Sequence, residues 1–275
     1  MAPNPNGDRI LDYKEVLCLP INLCGIVLPL LGTALGAACV FFLKRSLSGN
    51  LTRLLNGFAA GVMAAACIWS LLLPALEGSR HLGAFFFLPA VGGLLFGVLI
   101  LCELDRFLPR LQNRFRRQKN LTCCDSTRLM ILAVTLHNIP EGMAVGAAFA
   151  GAFSERSTAS AAALTLCVGI AIQNFPEGTI VSMPLAAQGA KKGHAFSLGV
   201  LSGVVEPIAA LLTILAARLV VPMLPFLLSL AAGAMFYVCV EELIPESVGG
   251  GKKGVGALSF ALGFCVMMTL DAVFG

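Results

Sequence analysis

Charge is scarce in this chain. Lysine, arginine, aspartate and glutamate together make up 12% of its 275 residues, about half of the ~25% usual for a soluble domain. So small a supply cannot cover a water-facing surface. Strict apolar/polar alternation is missing too, which argues against a transmembrane barrel. No CxxC and no HExxH occurs, so two common zinc signatures are absent. The first fifteen residues are polar and mixed in charge, and the apolar run after them is long enough to stay as a span. No cleavable signal peptide is expected.

What fills the chain instead is long apolar sequence: 57% of residues are hydrophobic and the mean hydropathy is +0.87. Inside a bilayer the backbone must satisfy its own hydrogen bonds, so such runs are read as helices and the fold class as an all-α membrane protein. Eight segments approach the ~20 residues needed to cross. They run at about 20–43, 52–76, 82–104, 128–152, 158–187, 195–217, 222–246 and 255–274. The fifth is long and is expected to tilt or kink at Pro176. Residues 20–275 thus read as one transmembrane domain after an N-terminal segment, 1–19, with 105–127 as its longest loop.

Basic residues orient the chain. One set of loops carries Lys44, Arg45, Arg53, Arg106, Arg110, Arg114, Arg116, Arg117, Lys119, Arg128, Lys191, Lys192, Lys252 and Lys253. The other carries only Arg9, Lys14, Arg80, Arg156 and Arg218. Both termini are therefore expected outside the cytoplasm, and the 105–127 loop in the cytosol, its basic run against anionic lipid headgroups. The localisation expected is multi-pass in a plasma (inner) membrane. Of the ten cysteines most fall in apolar runs, where cysteine is a small packing residue. Cys123 and Cys124 lie in a polar loop; as neighbours they are poor disulfide partners.

The chain also repeats. Ala59-Ala60-Gly61-Val62-Met63 matches Ala231-Ala232-Gly233-Ala234-Met235, with Cys67 and Cys239 at the same distance beyond and a proline and glutamate after each (Pro74 and Glu77; Pro245 and Glu246). Gly97 with Leu104-Asp105 matches Gly263 with Leu270-Asp271. By the orientation above these pairs cross in opposite directions, so the arrangement expected is a 3+2+3 inverted-repeat bundle. Such symmetry with a midplane site marks secondary transporters.

The central pair of segments carries the chemistry. His137-Asn138-Ile139-Pro140-Glu141-Gly142 and Gln173-Asn174-Phe175-Pro176-Glu177-Gly178 share Asn-x-Pro-Glu-Gly at an offset of 36 residues. Glu141 and Glu177 lie about 13 and 19 residues into their spans, and Glu206 about 11 into the sixth, too deep to reach the interface easily. An acid there costs ~2.5–3.5 kcal/mol on insertion scales. No lysine or arginine sits at mid-depth. A divalent cation is the simplest compensating charge; protonation, which would make the acids proton carriers, is the alternative.

His137 and Glu141 share a helix face at i, i+4, and Gln173 and Glu177 repeat that spacing. Pro140 and Pro176 free the carbonyls of Leu136 and Ile172 one turn earlier, and opened helices with exposed carbonyls build cation sites in transporters. One imidazole, carboxylates and amide oxygens suit zinc, iron, manganese or cadmium and lack the thiolates of a copper(I) site. Glu77 and Asp271 near one end of the bundle, and Glu241, Glu242 and Glu246 near the other, are candidate acids for the mouths of a cation path.

At these residues the chain resembles the ZIP (Zrt/Irt-like) family of divalent-metal transporters, with Ile172–Leu185 and Ser202–Glu206 most like its GufA-type branch. The resemblance covers about residues 20 to 275. It implies transport towards the cytosol and a binuclear centre bridged by Glu141 and Glu177. His137, Asn138, Gln173, Asn174 and Glu206 would fill the remaining positions. Met63 matches a methionine that approaches the centre in family members. Two departures stand out: Gln173 and Asn174 replace a histidine or aspartate found in many members, and the 105–127 loop lacks their histidine-rich stretch.

The function expected is transport of a divalent metal ion, zinc above all, with no cofactor: zinc is the bound and carried ion. A metal-selective channel and a proton-coupled carrier at the same site stay open. A membrane-embedded metalloenzyme would need an activated nucleophile, and no Ser-His or Cys-His pairing stands out, so no enzyme activity is expected. The partners expected are divalent metal ions and membrane lipid, not nucleic acid; a homodimer is left open.

Overall fold

A computed structural model describes residues 20–42, 48–119, 124–155, 159–249 and 254–274. Among them there is no strand. The long helices are α1 (Pro20–Phe42), α2 (Gly49–Gly78), α3 (Leu88–Lys119), α4 (Cys124–Glu155), α5 (Ala159–Ala187), α6 (Lys192–Leu215), α7 (Val221–Val248) and α8 (Val255–Phe274). A 3₁₀ segment, Arg80–Phe85, turns α2 into α3, and Gly83 at φ 60° supplies its left-handed residue. Seven of these helices are long and apolar enough to cross a membrane among the described residues; α4 is a further helix of 32 residues.

Much of the expected 105–127 segment is helical, and residues 120–123 of it lie outside the described residues. Helix α3 continues to Lys119 and α4 begins at Cys124. The charges after Phe107 end the apolar stretch at that residue, but arginine, glutamine, leucine and lysine are good helix formers, so the helix runs on beyond it. Cys124 therefore opens a helix, while Cys123 lies outside the described residues. The segment 1–19 lies outside them as well.

Helices α2 and α7 share an irregularity. Each passes into a π-helical stretch, Cys67–Leu72 and Cys239–Leu243, just before a proline, Pro74 and Pro245. Proline cannot donate and its ring crowds the carbonyl four residues back, so a widened turn relieves the clash. The two cysteines that open these stretches reach across to each other's helix. Cys67 Sγ lies 3.6 Å from Ala232 O, and Cys239 Sγ lies 3.6 Å from Ala60 O.

The helices pack in four close pairs: α1 on α5, α2 on α8, α3 on α7 and α4 on α6. Glycine sets the spacing. A methyl group at Gly36 would stand 1.9 Å from Phe175 O, and one at Gly178 2.0 Å from Thr33 O. The same holds between α2 and α8, where Gly61 faces Phe260 O at 2.0 Å and Gly263 faces Phe58 O at 2.1 Å. Between α3 and α7, Gly97 and Gly233 face Leu230 O and Leu94 O, each at 2.1 Å. Gly142 faces Glu206 O at 2.3 Å between α4 and α6. In lipid, where apolar surface gains little from leaving its surroundings, such backbone approach supplies the attraction that joins helices. It also draws polar side chains on α4, α5 and α6 into one layer.

Candidate functional site

Asn138 and Glu141 project from α4, Gln173, Asn174 and Glu177 from α5, and Glu206 from α6. All six are buried. Helix α5 stays helical through Pro176 and Pro184, as α4 does through Pro140. Helix α6 breaks at Val204, between Lys192–Gly203 and Val205–Leu215, and Glu206 sits in the first turn of its second half. A carboxylate is favoured there, because the first backbone N–H groups of a helix carry partial positive charge.

The side chains interlock across the helices. Gln173 Nε2 donates to Glu141 Oε1 at 2.7 Å. Asn138 Nδ2 donates to Glu206 Oε1 at 3.0 Å and to Ser202 O at 3.1 Å. Asn174 lies between Glu141 and Glu206, with no hydrogen bond of ordinary geometry to either. Glu141, Glu177 and Glu206 are all within electrostatic reach of one another.

Oxygen atoms are left over. Glu141 Oε2, Glu177 Oε2, Glu206 Oε2, Asn138 Oδ1, Gln173 Oε1 and Asn174 Oδ1 are buried without a partner. Buried polar atoms are paired as a rule, and each exception asks for a reason. Among the described residues no lysine or arginine forms an ion pair with the cluster. Six oxygens from carboxylates and amides, with no cation beside them, form a donor set suited to a hard or borderline divalent ion.

Most of the residues named from sequence thus come together. His137 lies on α4, one turn before Glu141; its side chain lies outside the described residues. Among those that are described, no three His, Cys, Asp or Glu stand together closely enough to hold a metal ion between them. Met63 is fully buried on α2. Glu242, half-buried on α7, is within electrostatic reach of Glu177 and also faces Asp105 and Glu246. Asp271, on α8, accepts a hydrogen bond from Ser70 Oγ at 2.8 Å while its Oδ2 is buried without a partner. Glu77 and Glu241 are exposed.

Three side chains escape a reading of sequence. Thr33 of α1, fully buried, reaches Glu206 Oε1 at 3.4 Å. Asn56 of α2, also fully buried, donates to Glu246 Oε2 at 2.5 Å. Ser70 holds Asp271. Hydroxyls and amides scattered in apolar runs have no spacing that singles them out; only the folded contacts do. Thr33→Val removes one long hydrogen bond to a charged group, so its effect is expected to be small. Thermal unfolding in detergent should shift by no more than the ~1.5–3 kcal/mol that such a bond can contribute.

Comparison with known proteins extends this. The family described as ZIP Zinc transporter matches residues 122–271. "Zinc transporter ZIP11" of Xenopus tropicalis is 34% identical, over 92% of this chain and 97% of that protein. "Zinc transporter GufA" of Myxococcus xanthus is 36% identical, over 91% and 99%. "Zinc transporter ZIPB" of Bordetella bronchiseptica is 36% identical, over 88% and 78%.

Proposed function

Because the chain belongs to the ZIP family of zinc transporters, we propose that it carries zinc across a membrane towards the cytosol, through the carboxylate and amide cluster of α4, α5 and α6. The observation that carries this reading is that cluster: three buried acids, six unpartnered oxygens and no basic partner among the described residues. His137, Asn138, Glu141, Gln173, Asn174, Glu177 and Glu206 are the proposed ligands, with Met63 beside them. Glu141 and Glu177 stand on adjacent helices with an oxygen each to spare, which supports their bridging two ions. The same donors accept iron, manganese and cadmium. Zinc here is cargo, not cofactor.

The frame proposed for this site is eight spans in a 3+2+3 inverted repeat. The matched π-helical turns and the reciprocal cysteine contacts of α2 and α7 support it, as do the paired glycine contacts. Both termini would face away from the cytosol, with the basic 105–127 segment inside, in a plasma (inner) membrane, as one domain from residue 20 to 275. Membrane lipid surrounds it, and a homodimer is the assembly to test first. Reactivity of single introduced cysteines towards a membrane-impermeant thiol reagent reads the orientation directly.

The acids at the two ends then become mouths of the path: Glu77 and Asp271 outside, Glu241, Glu242 and Glu246 inside. Asp271→Asn keeps the Ser70 contact but removes a negative charge. Half-saturation should rise several-fold while the rate at saturating zinc changes little, and the difference should shrink in high salt as screening weakens attraction. The decisive test is uptake into proteoliposomes holding a zinc-sensing dye. Saturable accumulation supports the proposal. Folded protein that admits none of zinc, iron, manganese or cadmium would overturn it.

A further inference from the structure

One recess in the structure lies beside the carboxylate cluster and holds none of its polar side chains. A cavity of about 610 Å³ opens between α1, α2 and α5. It falls within the roughly 300–1,000 Å³ of small-molecule sites. Leu31, Leu35, Phe58, Val168, Ile172 and Phe175 frame it, and every other residue lining it is apolar as well. Its floor lies at Gly32 and Ala171, where α1 meets α5. Its rim faces outward: Leu31 is 50%, Leu35 64% and Phe175 38% exposed.

Two facts decide what fills it. First, all three walls belong to apolar helices long enough to cross a membrane, Leu23–Phe42, Gly49–Gly78 and Ala161–Ala187; the lining residues of α1 and α5 fall towards the middle of their helices, and those of α2, Leu55 and Phe58, in its first third. The opening therefore faces hydrocarbon. Secondly, a water molecule needs two to four polar partners to be held, and no polar side chain lines the cavity. A second copy of the chain would need a ridge of matching shape to enter a recess framed by three helices. Lipid tails are thin and unbranched, reach this depth everywhere, and surround the protein in great excess, so mass action favours them.

We propose that this recess is a binding site for one acyl chain of a membrane lipid. The inner wall of the site includes Pro176, the residue before Glu177, so a bound chain touches α5 within one residue of the carboxylate cluster. The proposal stands apart from the transport reading, because occupancy is read whether or not zinc moves.

The test reconstitutes the full chain into liposomes containing a trace of phosphatidylcholine with a photoactivatable diazirine midway along one acyl chain. After illumination, labelled peptides are mapped by mass spectrometry. Label should concentrate on the α1 and α5 peptides that bear Leu31, Leu35 and Phe175. It should exceed that on the α3 peptide bearing Leu95 and Leu99, which are exposed but do not line the recess. Leu35→Trp at the rim and Ala171→Phe at the floor should each remove most of the α1 and α5 label and leave the α3 label unchanged. The α3 label, with monodisperse elution, reports folding; if Ala171→Phe fails to fold, Leu35→Trp carries the test alone. Uniform labelling of all lipid-facing helices, label indifferent to Leu35→Trp, or chain-to-chain crosslinks at this face would each overturn the proposal.

Discussion

Replacing Glu177 with alanine should abolish zinc uptake in proteoliposomes, and Glu141→Ala should do the same, while both variants insert and elute as the parent does. Each substitution removes a carboxylate whose second oxygen is buried and unpartnered, so the lost group is one the fold leaves free for an ion. Neither acid anchors packing through a salt bridge among the described residues. Removing the Glu177 charge, which lacks an opposite charge, relieves desolvation, so stability there should hold or rise. Glu141→Ala relieves the same cost but leaves Gln173 Nε2 without its acceptor, an offsetting loss of about 1–3 kcal/mol; in both variants uptake drops at least about tenfold, the equivalent of ~1.4 kcal/mol or more in binding. Glu103→Ala is the control: its carboxylate is exposed and paired to Arg106 at 2.6 Å, an arrangement worth little. Similar losses in all three would mean general damage and would remove the site assignment.

The second large effect concerns folding, not transport. Gly178→Val should deplete folded, monodisperse protein. A branched side chain would enter where Thr33 O stands 2.0 Å from even a single added carbon. The obstacle is backbone, which cannot rotate aside, so α1 and α5 must separate along their contact. Overpacking costs ~1–3 kcal/mol where side chains can adjust, and here they cannot. Gly193→Ala, with nothing within 4 Å of the added carbon, should melt in detergent as the parent does. Thermal unfolding followed by size-exclusion recovery separates the two. Equal recovery of both variants would show that the close approach of α1 and α5 does not hold the bundle together.

The buried acids of the candidate site were legible because their chemistry clashes with the apolar helices around them. Glu141, Glu177 and Glu206 are acids in hydrocarbon, and two of them follow a proline in duplicate, so neither depth nor spacing needed a structure to be noticed. Thr33 and Asn56 were not legible: a hydroxyl or amide in an apolar run is inexpensive and common, and its partner lies on a helix remote in sequence. The helical character of the 105–119 stretch was not legible because charge ends a hydrophobic span without ending a helix. The widened turns at Cys67 and Cys239 were half visible. The prolines were in plain view, but only coordinates show that the strain spreads backwards as π-helix.

Four helix pairs joined at glycine also constrain how the molecule can move. Within a pair, backbone rests on backbone, and sliding would drive carbonyls into neighbouring chain. Between pairs the contacts are mixed: Gly256 of α8 still faces Ser247 O of α7 at 2.4 Å, while Met267 of α8 lies against Gly169 of α5. Methionine is unbranched and adapts its shape to a shifting neighbour. A shift that keeps each pair intact would thus find its give where α8 rests on α5 through Met267, and its resistance where glycine again brings backbone against a neighbouring pair.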